Sequence, residues 1–360
     1  MLIICPIRLT CVPSSAITPA DLPQTEVNTM WSQSHNPLFN ESDQEIFDRE
    51  LADFLPDRIF DAHGHLVHPD IFAFKHDLVP ETCGIEEFRK YNGMLHPGRE
   101  LGALLLNYVP VDADVAFANQ WFADQLNGQS NFRWFMFVAP DDDPDLVRQE
   151  VARLGAHGFK VYHTRAPRES TWDADIPEYM PEWLFQIAND LGLGLTLHMV
   201  KRRGVADPSN IHWIRHFCET YPDMKLILAH SARGFQPQHN VEGLPQLTGL
   251  HNLHFDTGAN CSPLAHQAII KLFGHDRLIY GSDSIPVGHL RGTNFGVADS
   301  FIWVSETDDI WGQALGRIQP TLIGIEHLRS VKHACWTMNL TDSQVEDVFW
   351  NNAARLLNLP

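Results

Sequence analysis

Short apolar runs alternate along this chain with segments whose apolar positions recur at helical spacing. The runs IFDAHGH (59–65), ALLLNYV (103–109), FRWFMFVA (132–139), GFKVYHT (158–164), LGLTLHM (193–199), KLILAHS (225–231), LHFDTGA (253–259) and LIYGSD (278–283) read as eight strands. Between them DPDLVRQEVARLGAHG, PEWLFQIANDLG, DPSNIHWIRHFCETYP and SPLAHQAIIKLFG read as amphipathic helices, opened by Asp, Pro or Ser and closed by Gly or Pro. Near-continuous apolar strands alternating with such helices predict a parallel sheet covered by helices. With eight repeats the expected fold is α/β, a (β/α)8 TIM barrel, whose functional groups sit at the C-terminal ends of the strands.

Departures from this alternation define the rest of the chain. Residues 1–40 are rich in Pro, Ser, Thr and Asn, show no period and read as a loose arm, with Met30 as an alternative start. The opening MLIICPIRLTCVPSSA is broken by Pro6 and Arg8 and makes a poor signal peptide. Ser42 followed by Glu45 has capping-box spacing and predicts a lead-in helix within 41–56, so that residues 57–360 form one barrel domain. Two long insertions, 66–100 after the first strand and 284–320 after the eighth, are expected as lids at the catalytic mouth. Helix patterns at 321–338 and in TDSQVEDVFWNNAARLL, with Thr341 as N-cap, close the chain.

Composition removes several classes of function. At 360 residues and 44% apolar content the chain can bury a large single core. Twenty-six basic against 45 acidic residues give a formal charge of −19, which argues against nucleic acid or an anionic membrane as partner. A small-molecule substrate is expected instead, and an anionic one would need a local basic cluster. No stretch approaches a membrane span. Cys5, Cys11, Cys83, Cys218, Cys261 and Cys335 are scattered without pairing motifs, which points to a reducing, cytoplasmic compartment.

Candidate chemistry gathers at the ends of the predicted strands: His63 and His65, Lys160, His198, His230 and Asp283. Two histidines separated by one residue on a strand share a face and can share one metal ion. His230 follows His198 by 32 residues and Asp283 follows His230 by 53, close to one and two βα units of about thirty residues. A chance HxH is no rarity among 20 histidines. Its place at the end of the first strand, with histidines at two later strand ends, is what lifts it above chance.

FDAHGH, TLHMV, LILAHSARG, IYGSD and the closing VEDVFWNNAARLL together resemble the amidohydrolase superfamily, in its amidohydrolase-2 branch of metal-dependent barrel hydrolases and decarboxylases. The resemblance implies that His63, His65 and Asp283 hold a divalent metal, most simply zinc, with Asp283 also placed to take a proton from water. In one-metal members the strand-5 histidine, here His198, joins the metal, and His230 acts as acid or base. In two-metal members His198 and His230 hold a second ion, bridged by a carboxylated lysine in the place of Lys160. One metal per chain is favoured, and a homodimer or higher homo-oligomer is usual for such proteins. A bound divalent ion lowers the pKa of water toward neutrality and polarises a carbonyl or carboxylate, while a histidine titrating near neutrality could protonate a leaving group.

Basic residues near the same strand ends suggest recognition of a carboxylate. Arg165 follows the fourth strand, Lys201, Arg202 and Arg203 the fifth, Arg233 the sixth, and Arg291 lies in the last insertion. Arg233, three residues beyond His230, is the best placed; ion pairing with surplus carboxylates is the alternative for each. Tyr162, His163 and His289 are further candidate pocket residues, and Trp303 and Trp311 form a wall or pack the lid. The expected function is hydrolysis of an amide, lactone or related carbonyl of a carboxylated small molecule. Non-oxidative decarboxylation of an aromatic or unsaturated acid is the alternative. A barrel that only binds a ligand is a third reading, against which the intact His63, His65, His198, His230 and Asp283 speak.

Overall fold

A computed structural model describes residues 38–72, 81–313 and 319–359; most of the expected N-terminal arm lies outside the described residues. All eight predicted strands form: β1 Arg58–Gly64, β2 Glu100–Leu106, β3 Phe132–Phe137, β4 Gly158–Lys160, β5 Gly194–Leu197, β6 Lys225–Leu228, β7 Leu253–Asp256 and β8 Leu278–Ile279. They pair in parallel in chain order. Bonds from Ala62 N to Tyr280 O (2.8 Å) and from His65 N to Ser284 O (2.6 Å) bring the β8 segment back to β1. The expected (β/α)8 barrel is therefore the fold. Most strands end earlier than their apolar runs do: Lys160 closes β4, His198 lies one residue past β5, His230 two past β6 and Asp283 four past β8. The chain leaves the sheet where polar side chains begin, at the mouth.

Alternation along the strands builds two apolar layers. Ile59, Ala103, Leu105, Trp134 and Met136 face outward and pack with helix residues such as Phe88, Phe122, Val151 and Phe185. Phe60, Ala62, Leu104, Leu106, Phe135, Ile227 and Ile279 face inward. The covering helices include α2 Ile85–Leu95, α3 Val115–Leu126, α4 Pro144–Leu154, α5 Glu182–Leu191, α6 Pro208–Thr220, α7 Pro237–Gly243, α8 Pro263–Phe273 and α9 Ile323–Thr337. The ring of Phe135 occupies the interior space that Gly158 and Gly194 leave: a Cβ on Gly158 would fall 2.6 Å from it. Below it the final helix, α10 Asn352–Leu357, closes the bottom of the barrel with Ala353, Leu356 and Leu357, joined by Trp350. Arg133 Nε on Leu357 O (3.1 Å) and Lys225 Nζ on Leu356 O (2.7 Å) supply cations to the carbonyl end of that helix.

The lead-in helix is α1, Glu41–Ile46, which continues as a wider turn over Phe47–Leu51. Its capping box is formed by Asn40 and Asp43, not by Ser42 and Glu45. The shift follows from tertiary contact. Asp43 is fully buried, pairs with Arg291 (Nη2–Oδ2 2.6 Å) and accepts Leu322 N at 3.1 Å. Arg291, expected to meet substrate, is thereby placed elsewhere: its guanidinium joins the lead-in helix to the base of the last insertion. Directly after it the chain forms an antiparallel hairpin, β9 Gly292–Val297 and β10 Ser300–Ser305. Trp311 packs within this insertion, donating Nε1 to Ser305 O. Among the described residues no helix is long and apolar enough to cross a membrane.

Two stability effects follow. Asp43→Ala leaves a buried guanidinium without its carboxylate and should cost about 3–5 kcal/mol, read by chemical denaturation; a loss below about 1 kcal/mol would put the pair on a par with surface bridges. Ala298 holds a φ of +50° at the exposed hairpin tip. Relief of that left-handed cost, less the extra chain entropy of glycine, should let Ala298→Gly raise stability by up to about 1 kcal/mol. A lower melting temperature in the glycine variant would contradict the strain.

Candidate metal centre

The mouth of the barrel is organised from β1. The pairing of β1 with β2 is irregular between Asp61 and Gly64, a bulge that re-aims the side chains. Phe60 and Ala62 face the interior, and so does His63, one residue later rather than two. Its Nδ1 meets Asp256 Oδ2 of β7 at 3.0 Å. His65 lies just beyond β1, with Nδ1 2.8 Å from Leu106 O. A carbonyl only accepts, so the His65 proton is on Nδ1 and the bare Nε2 faces Asp283 Oδ1 at 3.3 Å. His63 Nε2 approaches the same oxygen at 3.7 Å. His230 Nδ1 donates to Gly258 O at 2.8 Å and lies 3.9 Å from Asp283 Oδ2. His63, His230 and Asp283 each offer a ligand atom within 4.8 Å of the others, and all three are buried.

Burial and charge agree on the state of these groups. Burial raises the Asp283 carboxyl, but the field around it, led by His63, outweighs burial and holds the group well below the usual carboxylate range. Burial lowers His65, and its neighbours leave it depressed. Burial followed by the field of His63 pushes His230 down to about 4. With Nδ1 committed to Gly258 O, the other ring nitrogen of His230 is the one left for chemistry at the mouth. For His63, burial lowers the pKa, but the carboxylates of Asp256 and Asp283 overcome it and leave it raised. A position where negative potential retains a proton is one that suits a cation. The bare Nε2 of His65 facing an ionised carboxylate is an unfavourable contact, which a divalent ion between them would turn into ligation; the donor set fits such an ion.

Two carboxylates that sequence reading passed over hold this arrangement. Asp256 accepts His63 through one oxygen and the backbone N–H groups of His230 (2.9 Å) and Gly258 (3.0 Å) through the other. Asp61 faces outward and accepts His63 N (3.1 Å), Ser282 N (2.7 Å) and Asn92 Nδ2 of α2 (2.6 Å), which anchors the segment leading to Asp283. Each was visible as an acid within a strand run, Asp256 in LHFDTGA and Asp61 in FDAHGH. Their partners were not.

The other expected residues divide into two groups. Lys160 is buried at the end of β4; burial pushes it down to about 8, against the opposing field of Asp256 and Asp283. His198 stands with its ring 5.0 Å from that of His230 and 4.8 Å from Tyr162. Its Nδ1 is buried without a partner, as is His163 Nε2. His163 bonds Thr171 Oγ1 at 3.0 Å and packs on Trp172 with centroids 4.2 Å apart. These residues border the metal centre. Arg165 instead binds the carbonyls of Val109, Pro110 and Ala113, Lys201 pairs with Asp175 at 2.9 Å, and His289 packs against α2 through Tyr91 O. They brace loops.

His230 and Arg233 share an uncommon backbone. His230, Ser231, Ala232 and Arg233 have φ of +56°, +52°, +58° and +55°, four consecutive left-handed residues without a glycine. Each costs roughly 1–2 kcal/mol, so the surroundings must impose the turn. They do: Asp256 takes His230 N, Asn260 Nδ2 donates to His230 O (3.1 Å), Asn240 Nδ2 donates to Ser231 O (2.9 Å), and Ser231 Oγ meets His266 Nδ1 at 2.7 Å.

Comparison with known proteins supports the same picture. None of the curated proteins matches this chain. Solved structures do. A protein provisionally described as a 2-pyrone-4,6-dicarboxylic acid hydrolase from Pseudomonas putida is 15% identical, with a TM-score of 0.52 over 85% of this chain and 99% of that one. The 5-carboxyvanillate decarboxylase of Sphingomonas paucimobilis is 13% identical, with a TM-score of 0.51 over 85% and 100%. A dihydroxybenzoic acid decarboxylase from Polaromonas sp. JS666, solved with bound manganese and 2-nitroresorcinol, is 17% identical, with a TM-score of 0.52 over 84% and 98%. At such identities these likenesses establish the fold. A family model, amidohydrolase, matches residues 60–359. That span runs from within β1 to the last helix and contains every residue of the metal centre, so this chain belongs to the amidohydrolase family.

Proposed function

We propose that this chain is a metal-dependent hydrolase acting on an amide, lactone or related carbonyl of a small carboxylated molecule. The observation that carries the proposal is the ionised, buried Asp283 faced by the bare Nε2 of His65 and by His63. His63, His65 and Asp283, with His198, would hold one zinc ion; a second ion on Lys160 and His230 is the alternative. When bound, such an ion polarises the substrate carbonyl and makes water nucleophilic at neutral pH. Asp283 then accepts the proton of the attacking water and returns it to the departing amine or alkoxide, so the proton is conserved over the cycle. His230, beside Asp283, would act as the acid or base that exchanges a proton with substrate or leaving group. Arg233 anchors the substrate carboxylate, bordered by Tyr162 and His163. The described cysteines, Cys83, Cys218, Cys261 and Cys335, are free thiols, which fits the proposed cytoplasmic setting.

A specific observation favours decarboxylation as a second reading. Trp172, Phe235, Phe301 and Trp303 gather aromatic rings around Arg233 and His230, with Tyr162 on His198, which suits an aromatic acid. The two reactions differ in what solvent leaves behind. Hydrolysis in 18O-water labels the product carboxylate. Decarboxylation in deuterium oxide releases CO2 and leaves a solvent deuteron on the carbon.

Protein purified without chelators should contain about one divalent ion per chain, and native mass should show no CO2 adduct on Lys160. His63→Ala should lose both ion and activity; full activity in metal-free protein would sink the proposal. Asp256→Asn keeps the shape of the site but removes the charge that orients His63, and should weaken metal affinity about 10- to 100-fold. Elemental analysis after graded dialysis measures this, and unchanged retention would deny Asp256 its role.

A further inference from the structure

The hairpin β9–β10 does more than cover the mouth. Its inward rings, Phe301 and Trp303, stand 4.8 and 5.3 Å from Phe235, which lies 5.5 Å from His230. The guanidinium carbon of Arg233 lies over two rings: Phe301 of β10, 5.6 Å from its centroid, and Trp172 of the loop after β4, 5.2 Å from its centroid. Arg233 Nη1 also donates to Lys201 O at 2.8 Å, and Lys201 N donates to Trp172 O at 2.9 Å. Stacking engages a guanidinium through its faces and orients the plane in which its N–H groups lie. The direction in which Arg233 can meet a carboxylate is therefore set by a ring that the hairpin brings.

The hairpin tip is held by charge. Asp299 meets His239 Nε2 of α7 at 3.2 Å, Arg202 Nη2 at 3.5 Å and Arg203 Nε at 3.7 Å. Beside it Gln236 Nε2 donates to Ala298 O at 2.7 Å. Arg203 is itself paired with Glu242 of α7. The tip thus rests on two successive βα loops, those after β5 and β6, and the second of these also carries Arg233.

We infer that Phe301 and Trp172 are positioning residues for Arg233, and that Asp299 latches the hairpin so that Phe301 stays on the guanidinium. The inference rests on the proposed role of Arg233 as carboxylate anchor and extends it: affinity for the substrate's carboxylate is set by the last insertion, away from the metal ligands.

Benzoate serves as the probe, titrated by calorimetry into the metal-loaded full chain and its variants, with metal content and melting temperature recorded for each. Phe301→Ala and Asp299→Ala should weaken benzoate about three- to thirty-fold with metal content unchanged, whereas Phe301→Tyr should stay within about twofold of the parent. Asp299→Ala should also speed hydrogen exchange in residues 292–305. If Arg233→Ala abolishes binding while Phe301→Ala and Asp299→Ala leave it within about twofold of the parent, the positioning role is overturned and the anchor stands. Equal losses in Phe301→Ala and Phe301→Tyr would overturn it as well, since shape rather than the ring face would then be at work. If Arg233→Ala binds benzoate like the parent, or the parent shows no saturable binding, the anchor itself fails and this inference with it.

Discussion

The carboxylate of Asp256 is the contact on which the site depends. One oxygen holds the His63 ring from β1, and the other holds the backbone of His230 beyond β6 and of Gly258 beyond β7. Three strands' worth of chain is thus referred to a single buried charge. Burial raises its pKa, but His63 and the hydrogen bonds around it bring the group back below its ordinary value. A buried anion is tolerated when its lone pairs are satisfied. Here the satisfaction is also what aims the imidazoles, so the cost of burying the charge and the geometry of the centre have one origin.

The barrel is built asymmetrically about that charge. Its lower half is apolar, filled by Phe60, Leu104, Phe135 and Ile227 and closed by the terminal helix through Leu356 and Leu357. Its upper half is polar and buried: Lys160, His63, Asp256 and Asp283 stand within one hydrophobic wall. Low local polarisability strengthens every interaction there. That explains why neighbouring histidines can be driven in opposite directions, His63 upward and His230 downward, by partners a few ångströms apart. It also explains why a four-residue left-handed turn persists, since the side chains that impose it are buried and have few alternatives.

The insertions connect this centre to the rest of the chain. Asp43 and Arg291 join the lead-in helix to the point where the hairpin begins, and the hairpin carries Phe301 and Trp303 back over His230 and Arg233. Residues near the N-terminus of the described chain are therefore joined to the mouth through the buried Asp43–Arg291 pair and the hairpin. An arginine with five donors serves either as a structural clamp or as a ligand contact. Arg291 and Arg165 are clamps here, while Arg233 stands beside the aromatic rings of Trp172 and Phe301.

Much of this was legible in the sequence, for physical reasons. Strand alternation and helix spacing are local properties, so the eight strands, their order and the gathering of His63, His65, Lys160, His198, His230 and Asp283 toward their C-terminal ends could be read from the residues in hand. What could not be read were choices made by distant partners. Whether Ser42 or Asn40 caps the first helix was decided by Asp43 meeting Arg291, 248 residues away. The bulge that turns His63 inward, the recruitment of Asp256 and Asp61, and the left-handed turn at His230 arise from contacts across the barrel. Local pattern determines which element a segment forms, because propensity and periodicity act within a few residues. Which of many charged side chains becomes ligand, anchor or clamp is decided by tertiary structure, because electrostatic partnership depends on distances that only folding sets.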